Sequence, residues 1–373
     1  MNSTTILNEN FIKVRGKRFH YIWLRDNCLN PKSRNPDTFQ RIYDYTENPQ
    51  PKPLYVELNE EELIIDWDEK PSHRSIYPIS WLMKYAYDPE PKQICNEPKL
   101  VLWDRFWFDN YPIERHDIHS CPQSVWMDEL CALGFTLLSN MSIEEMESFL
   151  TKSIGPINAT FEIVSDIKPT PDAKDLGDLM TSPEVLPHNA HNYKLSKFLM
   201  LFFYCVEHNA KGGESILVDG FRVCEDFRQK YPEYFKILSE TPIVFHKFDP
   251  QNNYYFSYTA PIIQLDTQGN IYRICFNEKN CERTIPFEKI ESFYEAYSIF
   301  YHYMKNPAYQ YRFRLNDGDC LLIHNVRVMH GRTAFDPQSG MRHLKAGFVD
   351  WDYFIARRNF YQSKHFYLQQ FSS

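Results

Sequence analysis

Short apolar runs alternate with polar or proline-bearing stretches over the first part of the chain. Runs of this length, bounded by turn-forming residues, are typical of β-strands. They predict three short strands, at Phe19–Leu24, Leu54–Leu58 and Glu62–Trp67. A proline-rich stretch at residues 87–100 is interpreted as a linker. We therefore expect a small β-rich N-terminal domain over residues 1–95 and a larger domain over residues 96–373.

The larger domain is predicted to contain both helices and strands. Ser142 and Glu145 have the spacing of a capping box, and apolar residues follow at helical intervals. The same intervals between Ile290 and Met304 predict a longer amphipathic helix. Five apolar runs have the length of strands: Phe198–Val206, Ser215–Val218, Ile271–Phe276, Cys320–Ile323 and Leu344–Val349. The expected fold class is mainly β with flanking helices (α+β).

The composition is that of a globular protein with an unusual share of large rings. The chain contains 28 Phe, 25 Tyr and 7 Trp but only 12 Gly among its 373 residues. With 41 Lys and Arg against 49 Asp and Glu, the formal net charge is −8. This balance argues against a general affinity for nucleic acid phosphates, which needs a basic face. It permits a local basic pocket for a small anion.

The sequence also limits the compartment and the partners. No apolar run reaches the 18 residues of a membrane-spanning helix, and the first residues lack the apolar stretch of a signal peptide. Nine cysteines are scattered singly, without Cys-x-x-Cys pairs, which is typical of reduced thiols in a cytoplasm. We expect a cytoplasmic protein, a possible homodimer, that binds neither membranes nor nucleic acids.

Two histidines and one arginine carry the strongest chemical signal. His188 follows a loop in the segment LPHNAHNY, and His330 lies in NVRVMHGR after a predicted strand. Arg342 comes twelve residues later, at the start of another strand. An early His, a late His and a following Arg is the order expected of an iron site in a double-stranded β-helix. There imidazoles suit Fe(II), and a guanidinium pairs with the far carboxylate of a 2-oxo acid.

Several motifs then point in the same direction. They are WLRDNC (23–28), GGESILVDGF (212–221), ICFNEKNCER (274–283), HNVRVMHGR (324–332) and RHLKAGFVDWD (342–352). In this order they resemble the γ-butyrobetaine and trimethyllysine hydroxylases, within the TauD-like Fe(II)/2-oxoglutarate oxygenases. The resemblance covers nearly the whole chain. It implies a jelly-roll (double-stranded β-helix) catalytic domain in which His188 and His330 bind Fe(II), Arg342 binds 2-oxoglutarate, and O2 reacts with a small-molecule substrate.

One departure from the family changes the expected chemistry. The family's iron-binding motif is H-x-D before a Tyr, whereas this chain has Ala190 in place of the Asp. Loss of the carboxylate removes a negative charge and opens a coordination position, which chloride or bromide can take. The H-x-A change is the hallmark of the Fe(II)/2-oxoglutarate halogenases. We therefore expect a halide beside Ala190 and halogenation of an aliphatic C–H.

Two alternatives remain open from the sequence. In the first, His191, Glu184 or water completes the iron site, and the protein is a hydroxylase or another oxygenase with an unusual ligand set. In the second, the protein binds a ligand on the same fold without catalysing oxidation. His188, His330 and Arg342 argue against this second alternative.

A second departure lies in the N-terminal domain. Relatives hold zinc with three closely spaced Cys and a later His, whereas this chain has Cys28, Asn30, Ser33 and His73 at those positions. One thiolate and one imidazole are too few for a closed tetrahedral zinc site. We expect this domain to fold without zinc.

The third departure concerns the substrate. The relatives bind a trimethylammonium group with aromatic rings, and here Glu162 and Asp166 align with two ring positions while Phe348 keeps one. Two carboxylates would favour an amine that can donate hydrogen bonds. The alternative is that Glu162 and Asp166 lie on a solvated loop. Tyr193 is a further candidate for the border of the substrate cavity, with a place in the core as its alternative.

Overall fold

The computed structural model describes residues 6–90, 98–158, 164–169, 183–195, 199–250 and 252–370. The chain divides into two compact units, one formed by residues 1–96 with 365–373 and the other by residues 97–364. Among the described residues, no helix is both long enough and apolar enough to cross a membrane.

The first unit contains two three-stranded antiparallel sheets, β1-β2-β3 and β4-β5-β6. Its strands are β1 (Ile6–Leu7), β2 (Phe11–Val14), β3 (Lys17–His20), β4 (Pro53–Leu58), β5 (Glu62–Trp67) and β6 (His73–Pro78), and its helices are α1 (Tyr21–Asp26), α2 (Ile79–Lys84) and the 3-10 turn Tyr45–Glu47. The prediction of a strand over Phe19–Leu24 is wrong, because the strand ends at His20 and a helix follows. Tyr21 and Leu24, three residues apart, are both buried, which places them on one helical face.

The second unit is built around two sheets in which the described strands pair antiparallel, apart from the parallel pair β7–β8. The larger sheet has the order β10-β24-β12-β21-β8-β7, with β9 also on β24, and the smaller has the order β11-β22-β14-β20. The strands of this unit within the described residues are β7 (Arg115–Asp117), β8 (Phe135–Ser139), β9 (Ile157–Asn158), β10 (Ser165–Ile167), β11 (Val185–His188), β12 (Leu199–His208), β13 (Lys211–Gly212), β14 (Ser215–Asp219), β15 (Ile243–Asp249), β16 (Tyr254–Ala260), β17 (Ile263–Leu265), β18 (Ile271–Ile274), β19 (Cys281–Glu282), β20 (Gln310–Phe313), β21 (Cys320–His324), β22 (Val328–Arg332), β23 (Phe335–Asp336) and β24 (Arg342–Asp350).

Helices pack on the outer sides of both sheets, except for the first of them, which packs against the core between the sheets. They are α3 (Trp107–Asn110), α4 (Gln123–Leu133), α5 (Ile143–Ser153), α6 (Gly220–Lys230), α7 (Pro232–Glu240), α8 (Ile290–Lys305) and α9 (Trp351–Gln370), with 3-10 turns at Glu278–Asn280, Phe287–Lys289 and Pro307–Tyr309. The capping box predicted at Ser142 and Glu145 is present at the start of α5. The prediction of a mainly β domain with flanking helices is confirmed.

The sequence of the central strand β12 is apolar at nearly every position because both of its faces are buried. Leu199 and Leu201 pack into the core between the two sheets. Met200 and Phe202 point the other way and pack into the core beneath α4 and α5. Both faces of the large sheet are therefore covered, so alternation of apolar and polar residues is lost. The cavity that contains the predicted site lies between the two sheets.

Candidate functional site

The two sheets enclose a cavity of about 480 Å³, a volume that includes its opening to solvent. The larger sheet contributes residues of β10, β12, β21 and β24, and the smaller sheet contributes residues of β11, β14 and β22. The lining residues are Ile167, Val185, His188, Phe203, Ser215, Leu217, Leu321, His330, Gly331, Arg332, Arg342 and Leu344. The structure thus brings His188, His330 and Arg342 to one cavity, although they are far apart in sequence.

The two histidines occupy paired positions on neighbouring strands. His188 is the last residue of β11 and stands in register opposite His330 of β22, with 4.5 Å between the ring centroids. His188 Nδ1 donates a hydrogen bond to the Leu186 carbonyl at 2.8 Å, so the neutral ring carries its lone pair on Nε2. A backbone carbonyl that fixes the tautomer in this way is the usual partner of a metal-binding histidine.

His330 is held in the uncharged form that metal binding needs. Its side chain is buried, and this burial lowers the pKa of His330 well below its ordinary value, with a further contribution from the neighbouring His188. His330 Nδ1 is buried and has no hydrogen-bond partner among the residues that the structure describes. Two imidazoles on adjacent strands, His188 and His330, fit a transition metal such as Fe(II).

Gly331 allows these two strands to approach each other. A Cβ at this position would lie 2.5 Å from the Val185 carbonyl oxygen of β11 and 3.0 Å from backbone atoms of the next two residues. The smaller sheet therefore has no room for a side chain between the two histidine-bearing strands. The spacing of His188 and His330 depends on this glycine.

Ala190 lies on a loop whose backbone is held by amide side chains. Asn325 Oδ1 accepts a hydrogen bond from the Ala190 N–H at 3.0 Å, and Asn325 Nδ2 donates to the Ala190 carbonyl at 2.8 Å. Asn189, fully buried, donates to the Asn325 carbonyl and accepts from the Phe276 N–H. His191 follows with a φ of 57°, a left-handed conformation. Ala190 packs at the margin of the core between the sheets but is not among the residues that line the 480 Å³ cavity.

The cavity has a strongly positive end. Arg342 is 5% exposed, and its Nε donates to the Gly213 carbonyl at 3.1 Å. Burial, followed by the charge of Arg332, lowers the pKa of Arg342 to about 10, so it remains charged at neutral pH. No carboxylate in the described part of the chain forms an ion pair with Arg342. A buried cation that lacks a carboxylate partner fits an anionic ligand such as the distal carboxylate of 2-oxoglutarate.

The described residues contain no group of three or more His, Cys, Asp or Glu side chains arranged to hold a metal ion. His191 therefore does not join His188 and His330 in such a group. Its ring stacks on Phe348 with 4.3 Å between centroids, and burial lowers its pKa to about 3. Glu184, the other candidate ligand, lies on the surface.

Tyr193 and Phe348 lie next to His191, outside the cavity lining. Tyr193 is 5.5 Å from the His191 ring and 5.6 Å from the Phe256 ring, measured between centroids. Burial, with a contribution from Asp249, raises the pKa of Tyr193. The two predicted substrate residues thus form a buried aromatic group with His191, and their role in binding stays a prediction.

The carboxylate of Asp166 is already engaged by neighbouring side chains. Asp166 Oδ1 lies 2.5 Å from His343 Nε2 and 3.2 Å from Lys345 Nζ, and its carboxylate therefore already has two cationic or hydrogen-bonding neighbours. The adjacent Ile167 lines the cavity, and because side chains alternate along a strand, Asp166 points to the opposite face of the sheet. We therefore do not assign Asp166 to the substrate. Glu162 lies outside the described residues.

The zinc positions of the first unit form a hydrogen-bonded cluster. Cys28 Sγ lies 3.3 Å from His73 Nε2 and accepts a hydrogen bond from the Ser75 hydroxyl at 3.0 Å. Ser33 Oγ lies 3.3 Å from the same His73 nitrogen. Folding of this unit without zinc stays a prediction.

Three residues that the structure brings to the site were not assigned to it from the sequence. Arg332, for which the sequence suggested only an anchor of the strand end or of a nearby carboxylate, lines the cavity together with Arg342. Asn325 holds the backbone of Ala190, and an isolated Asn gives no periodic signal. Gly213 has a φ of 73° after another glycine, and its carbonyl accepts the hydrogen bond from Arg342 Nε.

Comparison with known proteins gives the family. Residues 117–347 match the model of the taurine catabolism dioxygenase TauD, TfdA family. A γ-butyrobetaine dioxygenase of Pseudomonas sp. (strain AK-1) is 27% identical over 350 residues, covering 91% of this chain and 89% of that protein. The mitochondrial trimethyllysine dioxygenase of Homo sapiens is 25% identical over 345 residues, covering 88% of this chain and 79% of that protein. A solved structure of an asparagine oxygenase with Fe(II), 3-hydroxyasparagine and succinate is 16% identical, with a TM-score of 0.48 over 62% of this chain and 81% of that chain. With the family match spanning more than half of its length, this chain belongs to the TauD/TfdA family of Fe(II)/2-oxoglutarate oxygenases.

Proposed function

We propose that this protein is an Fe(II)/2-oxoglutarate-dependent halogenase that acts on an aliphatic C–H of a small molecule, on a double-stranded β-helix. The observation that carries the proposal is the ligand set. Two imidazoles, those of His188 and His330, line the cavity, and the position of the family's carboxylate is occupied by Ala190, which has no donor atom in its side chain. Because no third His, Cys, Asp or Glu joins them among the described residues, an external anion is the ligand that restores the missing charge.

Each residue has a defined part in this proposal. His188 and His330 would hold the metal, and the Leu186 carbonyl keeps the His188 lone pair on Nε2. Bound there, Fe(II) would supply the redox chemistry by which R–H, halide, a proton, O2 and 2-oxoglutarate give R–X, water, succinate and CO2. Arg342 would hold the distal carboxylate of 2-oxoglutarate. The Gly213 carbonyl orients its guanidinium.

The walls of the cavity exclude competing water. Leu217, Leu321 and Leu344 line it between the two sheets, and Leu217 and Leu321 are 0% and 1% exposed. In an apolar environment the attraction between Arg342 and a carboxylate is stronger than in water. The same environment disfavours an uncompensated charge, so a bound halide would gain from the cationic metal.

Oxygenation is the second candidate function, and the uncharged imidazole of His191 near the site favours it. The relatives named above are dioxygenases. For the same reaction here, water, or His191 after a movement of its side chain, would complete the iron site. The His191 imidazole is uncharged at neutral pH, as a metal ligand must be. A binding protein without catalysis remains the third alternative.

The test is a titration of 2-oxoglutarate into the Fe(II)-loaded protein without oxygen, in the presence of chloride or of sulfate. If a halide joins the iron site, chloride and 2-oxoglutarate affect each other's affinity reciprocally, and chloride changes the visible charge-transfer band of the complex. Identical affinities and spectra with and without chloride, with iron bound in both cases, would count against the halogenase.

Three variants separate the two enzymatic candidates. Ala190→Asp would restore a carboxylate ligand and should abolish the chloride effect, whereas Ala190→Gly, the matched control, leaves the position open and should retain it. His191→Ala should retain the chloride effect if the halide completes the site. Loss of iron binding in His191→Ala, with no chloride effect in any variant, would mean an oxygenase with three histidines.

A further inference from the structure

A buried histidine stands beside Arg342, behind the cavity wall. His208 is the last residue of β12 and lies in register opposite Arg342, the first residue of β24. It is 7% exposed and is not among the residues that line the 480 Å³ cavity. Burial, followed by the charges of Arg342 and Arg314, lowers the pKa of His208, so its ring is uncharged at neutral pH. The imidazole therefore acts next to Arg342 as a neutral hydrogen-bonding group.

The His208 ring holds the peptide that joins two glycines. His208 Nε2 lies 3.1 Å from the Gly212 carbonyl oxygen, and because a carbonyl only accepts, Nε2 is the donor. Arg314 Nη1 donates to the same oxygen at 3.3 Å. Gly212 and Gly213 both have positive φ, 81° and 73°. Glycine adopts positive and negative φ with similar ease, so hydrogen bonds to this peptide are needed to select one conformation of the pair.

The conformation of Gly213 in turn sets the orientation of Arg342. The Gly213 carbonyl accepts the hydrogen bond from Arg342 Nε at 3.1 Å. A Cβ on Gly213 would lie 2.9 Å from Arg342 Nε and 3.1 Å from His208 Nε2, so both side chains pack against this one glycine. A guanidinium fixed through Nε keeps its Nη groups in one plane, which matches a carboxylate in two-point contact. Fixing that plane before the ligand arrives lowers the entropy cost of binding.

We propose that His208 is a positioning residue for 2-oxoglutarate. By donating to the Gly212 carbonyl it fixes the two glycines, and through the Gly213 carbonyl it keeps the Arg342 guanidinium in the orientation that binds the distal carboxylate. The inference rests on the proposed role of Arg342, and it holds whether halide or water completes the iron site. Because His208 acts on the far end of 2-oxoglutarate, its loss should weaken binding of that end and leave the 2-oxo acid end unaffected.

The test is a titration of the full-length, Fe(II)-loaded protein without oxygen, at a fixed chloride concentration, followed by the visible charge-transfer band. His208→Phe keeps a ring in the buried position but removes the donor. It should weaken 2-oxoglutarate binding by about threefold to tenfold, the value of one neutral hydrogen bond. Binding of 2-oxobutyrate, which has the same 2-oxo acid group but no distal carboxylate, should be unchanged. The rise in thermal midpoint caused by each acid gives the comparison a second readout.

Two amide variants separate positioning from packing. The amide nitrogen of His208→Gln can take the place of Nε2, so this variant should bind 2-oxoglutarate within about twofold of wild type. His208→Asn is one methylene shorter and cannot reach the Gly212 carbonyl, so it should bind as weakly as His208→Phe. This pair also decides the question if His208→Phe does not fold.

Three results would overturn the inference. They are an unchanged affinity of His208→Phe for 2-oxoglutarate, an equal loss of affinity for 2-oxobutyrate, and equal binding by His208→Gln and His208→Asn. Arg342→Met is the reference for the site itself and should bind 2-oxoglutarate more weakly than every His208 variant. If Arg342→Met binds like wild type, the assigned 2-oxoglutarate site is wrong and the inference falls with it. If only the His208 variants bind like wild type, the site stands and the inference alone fails.

Discussion

Replacement of Arg342 by Met should stabilise the protein in the absence of 2-oxoglutarate, and this advantage over wild type should disappear when 2-oxoglutarate is bound. Burial and Arg332 lower the pKa of Arg342 from 12.5 to about 10. At about 1.4 kcal/mol per pKa unit, the charged guanidinium costs about 3 kcal/mol of folding free energy at every pH below about 10. The penalty fades only as the pH rises through 10, where the folded protein releases the proton.

The net effect follows from what the substitution removes. Met occupies a similar length without charge, and the hydrogen bond from Nε to the Gly213 carbonyl is lost at a cost of about 1 kcal/mol. Arg342→Met should therefore be about 2 kcal/mol more stable than wild type without ligand. With 2-oxoglutarate at one hundred times its dissociation constant, wild type gains about 2.7 kcal/mol. A loss of roughly a hundredfold in affinity reduces that gain to about 0.4 kcal/mol in the variant, so its advantage of about 2 kcal/mol over wild type should shrink to about zero.

Urea unfolding with and without Fe(II) and 2-oxoglutarate, under anaerobic conditions, measures both effects. The matched control is Arg327→Met, which removes an equally buried arginine that does have a carboxylate partner, Asp219. Because it leaves Asp219 buried and unpaired, this control should lose about 3–5 kcal/mol and keep its response to 2-oxoglutarate. If Arg342→Met is destabilised like the control, or if it keeps the full ligand response, the assignment of Arg342 as an unpaired ligand-binding cation is refuted.

Three further predictions concern other parts of the second unit. Gly213→Ala should lose about 1–2 kcal/mol because its φ is 73°, and should weaken 2-oxoglutarate in a titration, because the new Cβ would lie 2.7 Å from Arg342 Cδ. His324 stacks on Trp351 with 3.7 Å between ring centroids, and burial lowers the pKa of His324 to about 3. As the pH falls below about 6.5, the unfolded chain therefore binds a proton at this residue before the folded protein does, and the folded protein loses stability. In urea unfolding between pH 6.5 and 3, His324→Phe should lose stability less steeply than wild type, by up to about 1.4 kcal/mol per pH unit. Ser142→Ala should cost about 1 kcal/mol in the same assay and leave 2-oxoglutarate binding unchanged, since it removes only a helix cap.

Local patterns in the sequence predicted the elements whose partners are also local. The helix α8 was expected from Ile290 to Met304 and runs from Ile290 to Lys305, because its apolar face is regular. The helix α1 was missed because six residues give too little periodicity to separate a helix from a strand. The strand expected at Ile271–Phe276 ends at Ile274.

The site shows the same division between local and distant information. The order of His188, His330 and Arg342 was enough to expect them together. The register that places Asp166 against Lys345, and so on the face away from the cavity, depends on the pairing of two strands that are far apart in sequence.

The side chain of Asn325 contacts residue 190 through the backbone of residue 190. Asn325 Oδ1 accepts a hydrogen bond from the N–H of residue 190, and Asn325 Nδ2 donates one to its carbonyl. These bonds are indifferent to which side chain residue 190 carries. The loop can therefore keep its course whichever side chain residue 190 carries. In evolutionary terms, a single codon at position 190 could redirect the reaction of such an enzyme without first requiring a compensating change in the scaffold.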